Sequence, residues 1–302
     1  MNRGRLLSMV ALSSAIGALS AQGQERRLAY LRPAMDQVTR IADLRYRSLE
    51  GTSDTVMYGT DLRYDVFLPP GPIQANRPGV IFIHGGMVAG TARVSPKDDL
   101  PAYREWGRLV ASAGLVGITF SHRLTTQDNV DLGAQDVEEL LRAIRRRASE
   151  WGLDPGRLCV AAYSAGGPLS SLFLRPGPDP VRCIVLFYPF LDVDHAAMIS
   201  PFRAAHPAER VAELQRYSPR AQVLSSGGQL PPIFLARAGR DAIPGINASI
   251  DRFVQAALWV NAPLDLYVHR TGPHGFDMIA APDPRATEIV SAALDFLVRH
   301  TR

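Results

Sequence analysis

Ser164 stands between Tyr163 and Ala165, with a small residue two positions away on either side, Ala162 before it and Gly166 after it. The apolar run Leu158-Cys159-Val160-Ala161 leads into it, and a stretch that can be helical, Gly167 to Leu174, follows. A serine so flanked fits a sharp strand-to-helix turn. Such a turn accepts only small residues at those two places, because its backbone is strained and runs close to neighbouring chain. It pushes the hydroxyl into the open at the end of a sheet and aims the backbone N–H of Ala165 at the atom under attack. The chemistry implied is acyl transfer through a covalent serine intermediate.

A serine hydroxyl attacks only when a base takes its proton and an acid orients that base. Downstream, Asp241 follows the apolar strand Ile233-Phe234-Leu235-Ala236, and His274 lies in a loop after the run Leu264 to His269. Ser, Asp, His is one of the chain orders in which this constellation occurs. Asp192 and Asp194, after the run Cys183 to Tyr188, compete with Asp241 for the role of acid. Asp277, three residues past the histidine, reads as a solvated loop residue. His84, His122, His195, His206, His269 and His300 read as structural. Upstream, His84-Gly85-Gly86-Met87 follows the strand Val80-Ile81-Phe82-Ile83. Two glycines there free the backbone to turn N–H groups into a pocket, so Gly86, Met87 and Ala165 are the expected oxyanion donors and Gly85 serves the turn.

Those residues need a scaffold that brings distant loops together. Hydrophobic period predicts strands at Leu44–Leu49, Leu62–Leu68, Val80–Ile83, Leu115–Phe120, Leu158–Ala162, Cys183–Tyr188, Ile233–Ala238 and Leu264–His269. Helical patterns fill Ala102 to Ser112, Leu132 to Glu150, Gly167 to Leu174, Ile246 to Asn261 and Arg285 to His300. Alternating strands and helices imply an α/β fold: a mostly parallel sheet with helices on both faces, preceded by an antiparallel pair. Ser164, Asp241, His274 and His84 all fall at carboxyl ends of strands, where such sheets collect their chemistry. Residues 189–228 break the alternation and contain Pro201, Pro207 and Pro219. A connection of that length reads as a cap over the site, with His195, Met198, Ile199, Phe202, Val211, Leu214 and Tyr217 available to line a pocket.

On these motifs the chain resembles the α/β-hydrolase superfamily, in particular the esterase/lipase group related to hormone-sensitive lipase, whose strand-end motif is His-Gly-Gly-Gly or His-Gly-Gly-x-Trp. His122-Arg123-Leu124 is similar to the Tyr-Arg-Leu of that family, Gly152-Leu153-Asp154-Pro155-Gly156-Arg157 to its turn into the nucleophile strand, and His274-Gly275-Phe276 to its histidine loop. The resemblance runs from about Asp61 to the C-terminus. It implies an eight-stranded α/β-hydrolase fold with a cap insertion, and it favours Asp241 as the acid because Ala238-Gly239-Arg240-Asp241 matches the family's Gly-x-x-Asp turn. Three departures stand out: Ala162 replaces the more usual glycine, Met87 the third glycine of lipase-like members, and Val88 the tryptophan of formamidase-like members.

Composition bounds the rest. A chain of 302 residues with 46% apolar residues can bury one large core. Arg3 and Arg5 precede the apolar segment Leu6 to Leu19, and Ala18-Leu19-Ser20-Ala21-Gln22-Gly23 offers small residues to a peptidase. Residues 1–22 therefore read as a secretory signal and 23–302 as the hydrolase domain, secreted or periplasmic and without stable membrane association. The net charge of +4 includes Arg3 and Arg5, and no basic stripe interleaved with aromatics suggests nucleic acid. Cys159 and Cys183 lie on strands expected to be neighbours. Parallel neighbours seldom reach disulfide geometry, so the expectation is two buried free thiols.

The function expected is hydrolysis of a small-molecule carboxylic ester by a Ser164–His274–Asp241 triad, on short acyl groups, with no cofactor and no metal. Export directs attention to extracellular esters such as acetylated or feruloylated polysaccharide. An amidase or peptidase on the same triad is the alternative within enzymes. A non-catalytic binding protein on a hydrolase scaffold is the alternative outside them, marked by loss of a triad residue, and none is lost here.

Overall fold

Runs that are apolar at every position need cover on both faces, and they occupy the middle of the sheet. In the computed structural model, which describes residues 27–302 apart from 56–58, 87–100, 125–126, 176, 178–179, 195–203 and 205, the strands are β1 (Arg27–Leu28), β2 (Thr39–Ser48), β3 (Asp61–Leu68), β4 (Arg77–Ile83), β5 (Val116–Phe120), β6 (Leu153–Tyr163), β7 (Cys183–Phe187), β8 (Ile233–Ala238), β9 (Leu264–His269) and β10 (Met278–Ile279). Eight of them form one sheet in the order β2-β3-β5-β4-β6-β7-β8-β9. β3 runs antiparallel to both β2 and β5, and every pair from β5 to β9 is parallel. This is the α/β-hydrolase arrangement.

Successive side chains on a strand point to opposite faces, and the core divides accordingly. Ile81, Ile83, Val160, Ala162, Ile184 and Leu186 face one side. There they meet α2 (Val130–Arg147) and α5 (Ile246–Trp259). Val80, Phe82, Ala161, Val185 and Phe187 face the other, against α1 (Pro101–Ser112) and α6 (Pro284–His300). Trp106 of α1 is fully buried on that second face, a contribution of roughly 1.5–3 kcal/mol by area. The start of α6 is set by Pro284 at its first position and by Asp283, whose carboxylate accepts the N–H groups of Arg285 and Ala286.

Two elements differ from their expected form. Residues Ser164–Phe173 form a 3₁₀ helix, because Gly166, Gly167 and Pro168 are poor α-helix formers. Arg27–Leu28 pairs with Met278–Ile279, a contact between segments far apart in the chain that no local pattern announces. Within residues 189–228 the described part folds as α3 (Ala208–Leu214) and α4 (Pro219–Ser225). Leu214, Tyr217 and Val223 of that part join the first core with Phe190, Ile250 and Phe253. His195, Met198, Ile199 and Phe202 lie outside the described residues, as does the whole of 1–22.

The cysteines correct a second expectation: Cys159 and Cys183 are disulfide-bonded, with Cα atoms 4.8 Å apart. The sheet register sets the two residues directly opposite each other, with side chains on one face. A double Cys159→Ala/Cys183→Ala variant is expected to lose about 3 kcal/mol, because the bridge closes a loop with a sequence separation of 24 and so limits the unfolded chain. Urea denaturation without reductant checks this. An unchanged midpoint at constant slope would mean the folded protein keeps two thiols.

Candidate active site

β6 ends at Tyr163, and the next residue turns sharply. Ser164 has φ +49°, a region that side chains other than glycine avoid at a cost of roughly 1–3 kcal/mol. The turn is held by its neighbours. Phe190 N–H donates to the Ser164 carbonyl at 2.9 Å. A Cβ on Gly166 would sit 2.4 Å from the His84 carbonyl, and one on Gly85 would sit 2.7 Å from the Ser164 Cβ. The glycines of the two motifs are thus pressed against each other's backbone, and any larger residue at either place would drive the serine from its position.

The next pair of loops meets for a topological reason. β8 and β9 are parallel neighbours with Ala238 opposite His269, so the chain leaves both strands at the same level. Gly239 N–H donates to the His269 carbonyl at 2.8 Å and Arg240 N–H to the Gly272 carbonyl at 3.0 Å. These bonds bring Asp241 Oδ2 to 2.7 Å from His274 Nδ1. Asp241 Oδ1 accepts Ile243 N–H at 3.0 Å, and its side chain is fully buried while that of His274 is 15% exposed. An ionised carboxylate at Nδ1 keeps the ring proton there and leaves Nε2 as the basic nitrogen. Asp192 points elsewhere. Its Oδ2 lies 2.8 Å from Arg252 Nε in an ion pair without hydrogen-bond alignment, and its Oδ1 accepts Asp194 N–H. Asp194 in turn accepts from Gln215 Nε2.

At the end of β4 the two glycines have different work. Gly85 N–H donates to the Tyr103 hydroxyl at 2.7 Å, so it is committed to the protein. Gly86 has φ +89° with no atom of the described residues within 4 Å of where a Cβ would sit, and Met87 lies outside the described residues. The His84 ring stacks on that of His122 at 3.6 Å and 5°. His122 Nε2 donates to the His84 carbonyl at 3.2 Å, and His84 Nδ1 to the Gly85 carbonyl at 2.8 Å. Burial pushes His84 down to about 4 and holds His122 well below the usual imidazole range, so both rings are neutral at pH 7. Next to them Arg123 is clamped by Asp136, its Nη2 2.8 Å from Oδ1, and by Asp54 at 2.7 Å from Nη1. The His-Arg-Leu motif therefore acts as a brace behind the glycine turn.

Two residues escaped the sequence reading. Asp277 is not solvated but fully buried, accepting from Trp106 Nε1 at 2.8 Å and from the Tyr188 hydroxyl at 2.5 Å. Tyr188, whose ring centroid is 4.6 Å from that of His274, had no motif to mark it. Its one local signal is position, directly beyond an apolar strand whose end faces the site. Of the other histidines, His269 pairs with Asp283 and His206 with Asp128. Among the described residues no group of three or more His, Cys, Asp or Glu is placed to hold a metal ion, and no helix is long and apolar enough to cross a membrane.

Comparison with known proteins gives four likenesses. A family model described as BD-FAE matches residues 64–174, the span from β3 through the serine turn. The esterase LipI of Mycobacterium tuberculosis is 25% identical over 258 residues, 76% of this chain and 75% of its own. An acetylxylan esterase of Xylanibacter ruminicola is 25% identical over 169 residues, 54% of this chain and 35% of that protein. Esterase B of Lactobacillus rhamnosis, a crystal structure, superposes with a TM-score of 0.69 at 17% identity, covering 98% of this chain and 93% of its own.

Proposed function

We propose, for a chain that belongs to the esterase/lipase group of the α/β-hydrolase superfamily and is a carboxylesterase-type serine hydrolase, that Ser164 attacks the acyl carbon of a short-chain ester. His274 takes the serine proton and then gives it to the leaving alcohol, while Asp241 fixes the ring tautomer and stabilises the imidazolium. The N–H groups of Gly86, Met87 and Ala165 receive the oxyanion. Water then releases the acid by the same steps in reverse roles. The observation that carries this reading is the 2.7 Å contact between His274 Nδ1 and Asp241 Oδ2, on the same sheet edge as a serine held at φ +49°. A labelled fluorophosphonate tests it, since it reacts only with an activated serine. Modification should map to the peptide carrying Ser164, and modification elsewhere or none would remove the assignment.

We place the enzyme outside the cytoplasm, with residues 1–22 as an export signal. The charged and apolar pattern of that segment supports this, and so does the Cys159–Cys183 bridge, since disulfides persist in oxidising compartments. The related acetylxylan esterase makes acetylated carbohydrate a natural substrate class to test.

The acyl group should be short. The support is from sequence: residues 189–228 form a connection long enough for a cap, and Met87 is a larger residue than the glycine that lipase-like relatives carry at that place. Hydrolysis of p-nitrophenyl esters is expected to fall by at least roughly tenfold from butyrate to decanoate, because each methylene beyond the pocket wall costs about 1–3 kcal/mol. Equal or rising rates on decanoate would mean an open cleft and end the short-chain reading.

A further inference from the structure

Asp277 lies three residues beyond His274, with both carboxylate oxygens accepting from neutral donors, Tyr188 Oη at 2.5 Å and Trp106 Nε1 at 2.8 Å. Apart from Asp241, which pairs with His274, the other buried aspartates among the described residues have arginine partners: Asp65 with Arg40, Asp136 with Arg123, and Asp192 with Arg252. Among the described residues none pairs with Asp277. A buried carboxylate without a cation is costly, and two neutral hydrogen bonds offset that cost only in part. If packing were its whole role, an uncharged residue would serve better.

The groups around it say what the charge can act on. Tyr103, Tyr163 and Tyr188 face it with buried phenols, and Trp106 contributes an indole N–H. Burial is the largest influence and leaves the Asp277 carboxyl above the usual carboxylate range, while the Trp106 and Tyr188 donors and His274 act in the opposite direction and favour its charged form. Only His274, of these, gains positive charge during ester hydrolysis. Tyr188 is the physical link between the two. Its hydroxyl is on Asp277, its ring lies 4.6 Å from the His274 ring, and its backbone is held at φ +38° by a 2.8 Å bond from its N–H to the Ala236 carbonyl. A non-glycine residue stays in that conformation only where its surroundings over-determine it. The Asp277 backbone is tied as well, its carbonyl accepting Ala29 N–H at 2.7 Å.

We propose that Asp277 is a second carboxylate serving His274, a positioning residue that fixes the ring face through Tyr188 and whose buried charge favours the imidazolium. This rests on the triad reading above. Asp241 acts at Nδ1, and Asp277 acts through the tyrosine whose ring packs against the imidazole at a tilt of 59°. Nearby, His269 Nε2 is engaged by Asp283 Oδ2 at 2.9 Å.

The test compares pH profiles of Asp277→Asn, Tyr188→Phe and Ser164→Ala on p-nitrophenyl acetate. Asp277→Asn keeps shape and removes charge, so the acid limb of kcat/KM should move to lower pH by about one unit, because a base without its neighbouring anion holds a proton less tightly. The same loss in the transition state should lower kcat by about tenfold, with KM nearly unchanged. Tyr188→Phe keeps the ring and removes only the hydroxyl, and it should shift both quantities in the same direction by less. It carries the test if Asp277→Asn does not fold. A folded variant with wild-type kcat and an unmoved acid limb, even with a lowered melting temperature, overturns the proposal and leaves Asp277 a packing residue. Activity surviving in Ser164→Ala would instead overturn the triad reading on which the proposal stands.

Discussion

Ser164→Ala is expected to reduce ester turnover by on the order of a millionfold while leaving the fold intact. The change removes one oxygen from a side chain at the rim of the sheet. It leaves untouched the contacts that shape the turn, namely the Phe190 N–H bond to the Ser164 carbonyl and the close seating of Gly85 and Gly166. What disappears is the covalent step, and without it the oxyanion donors and the binding pocket still give some acceleration over water. Burst kinetics with a p-nitrophenyl ester and far-ultraviolet circular dichroism make the check. More than a per cent of wild-type turnover in a variant with unchanged circular dichroism would end the assignment of Ser164.

The second large effect belongs to the acid. Asp241→Asn should lower turnover by about ten-thousandfold at neutral pH, because an amide can donate to Nδ1 and so favours the tautomer in which Nε2 already carries the proton. The base is then in place but cannot accept. Asp192→Asn makes the contrast, since Asp192 faces Arg252 and not His274. That variant should lose stability, through an arginine left without its buried partner, and keep its turnover per folded molecule. Should the Asp192 change prove the damaging one for kcat, the acid comes from the end of β7 and the contact at Asp241 is not the catalytic one.

Much of the scaffold was legible because its signals are local. Val80-Ile81-Phe82-Ile83 is apolar on both faces, and only a central strand covered on both sides needs that. The pattern weakened where strands meet water. β2 begins at Thr39 rather than Leu44, in a mostly exposed edge strand with register shifts between Ile41 and Leu44 and between Arg45 and Arg47, where no alternation remains to be read. The serine turn was legible for a related reason: the strain at φ +49° demands small residues at fixed offsets, and Ala162 and Gly166 record that demand in the sequence. Chain order left Asp192 and Asp194 in competition with Asp241, and the family's Gly-x-x-Asp turn favoured Asp241; its contact with His274 forms in space because β8 and β9 are neighbours in register.

What the sequence alone could not decide depends on which distant groups share a low-dielectric interior. Asp277 reads as a loop carboxylate until Trp106, 171 positions away, and Tyr188, 89 positions away, close over it. Cys159 and Cys183 read as thiols until the register of β6 and β7 sets them opposite each other. Gly85 and Gly86 are the same residue type side by side, yet a hydroxyl from α1 claims the N–H of Gly85, whereas Gly86 takes the left-handed conformation at φ +89°. Residue type and spacing determine which chemistry a segment can perform, since they set its local conformation and functional groups. Burial, charge state and partner are properties of the assembled molecule, because each arises only when segments far apart in the chain exclude water together.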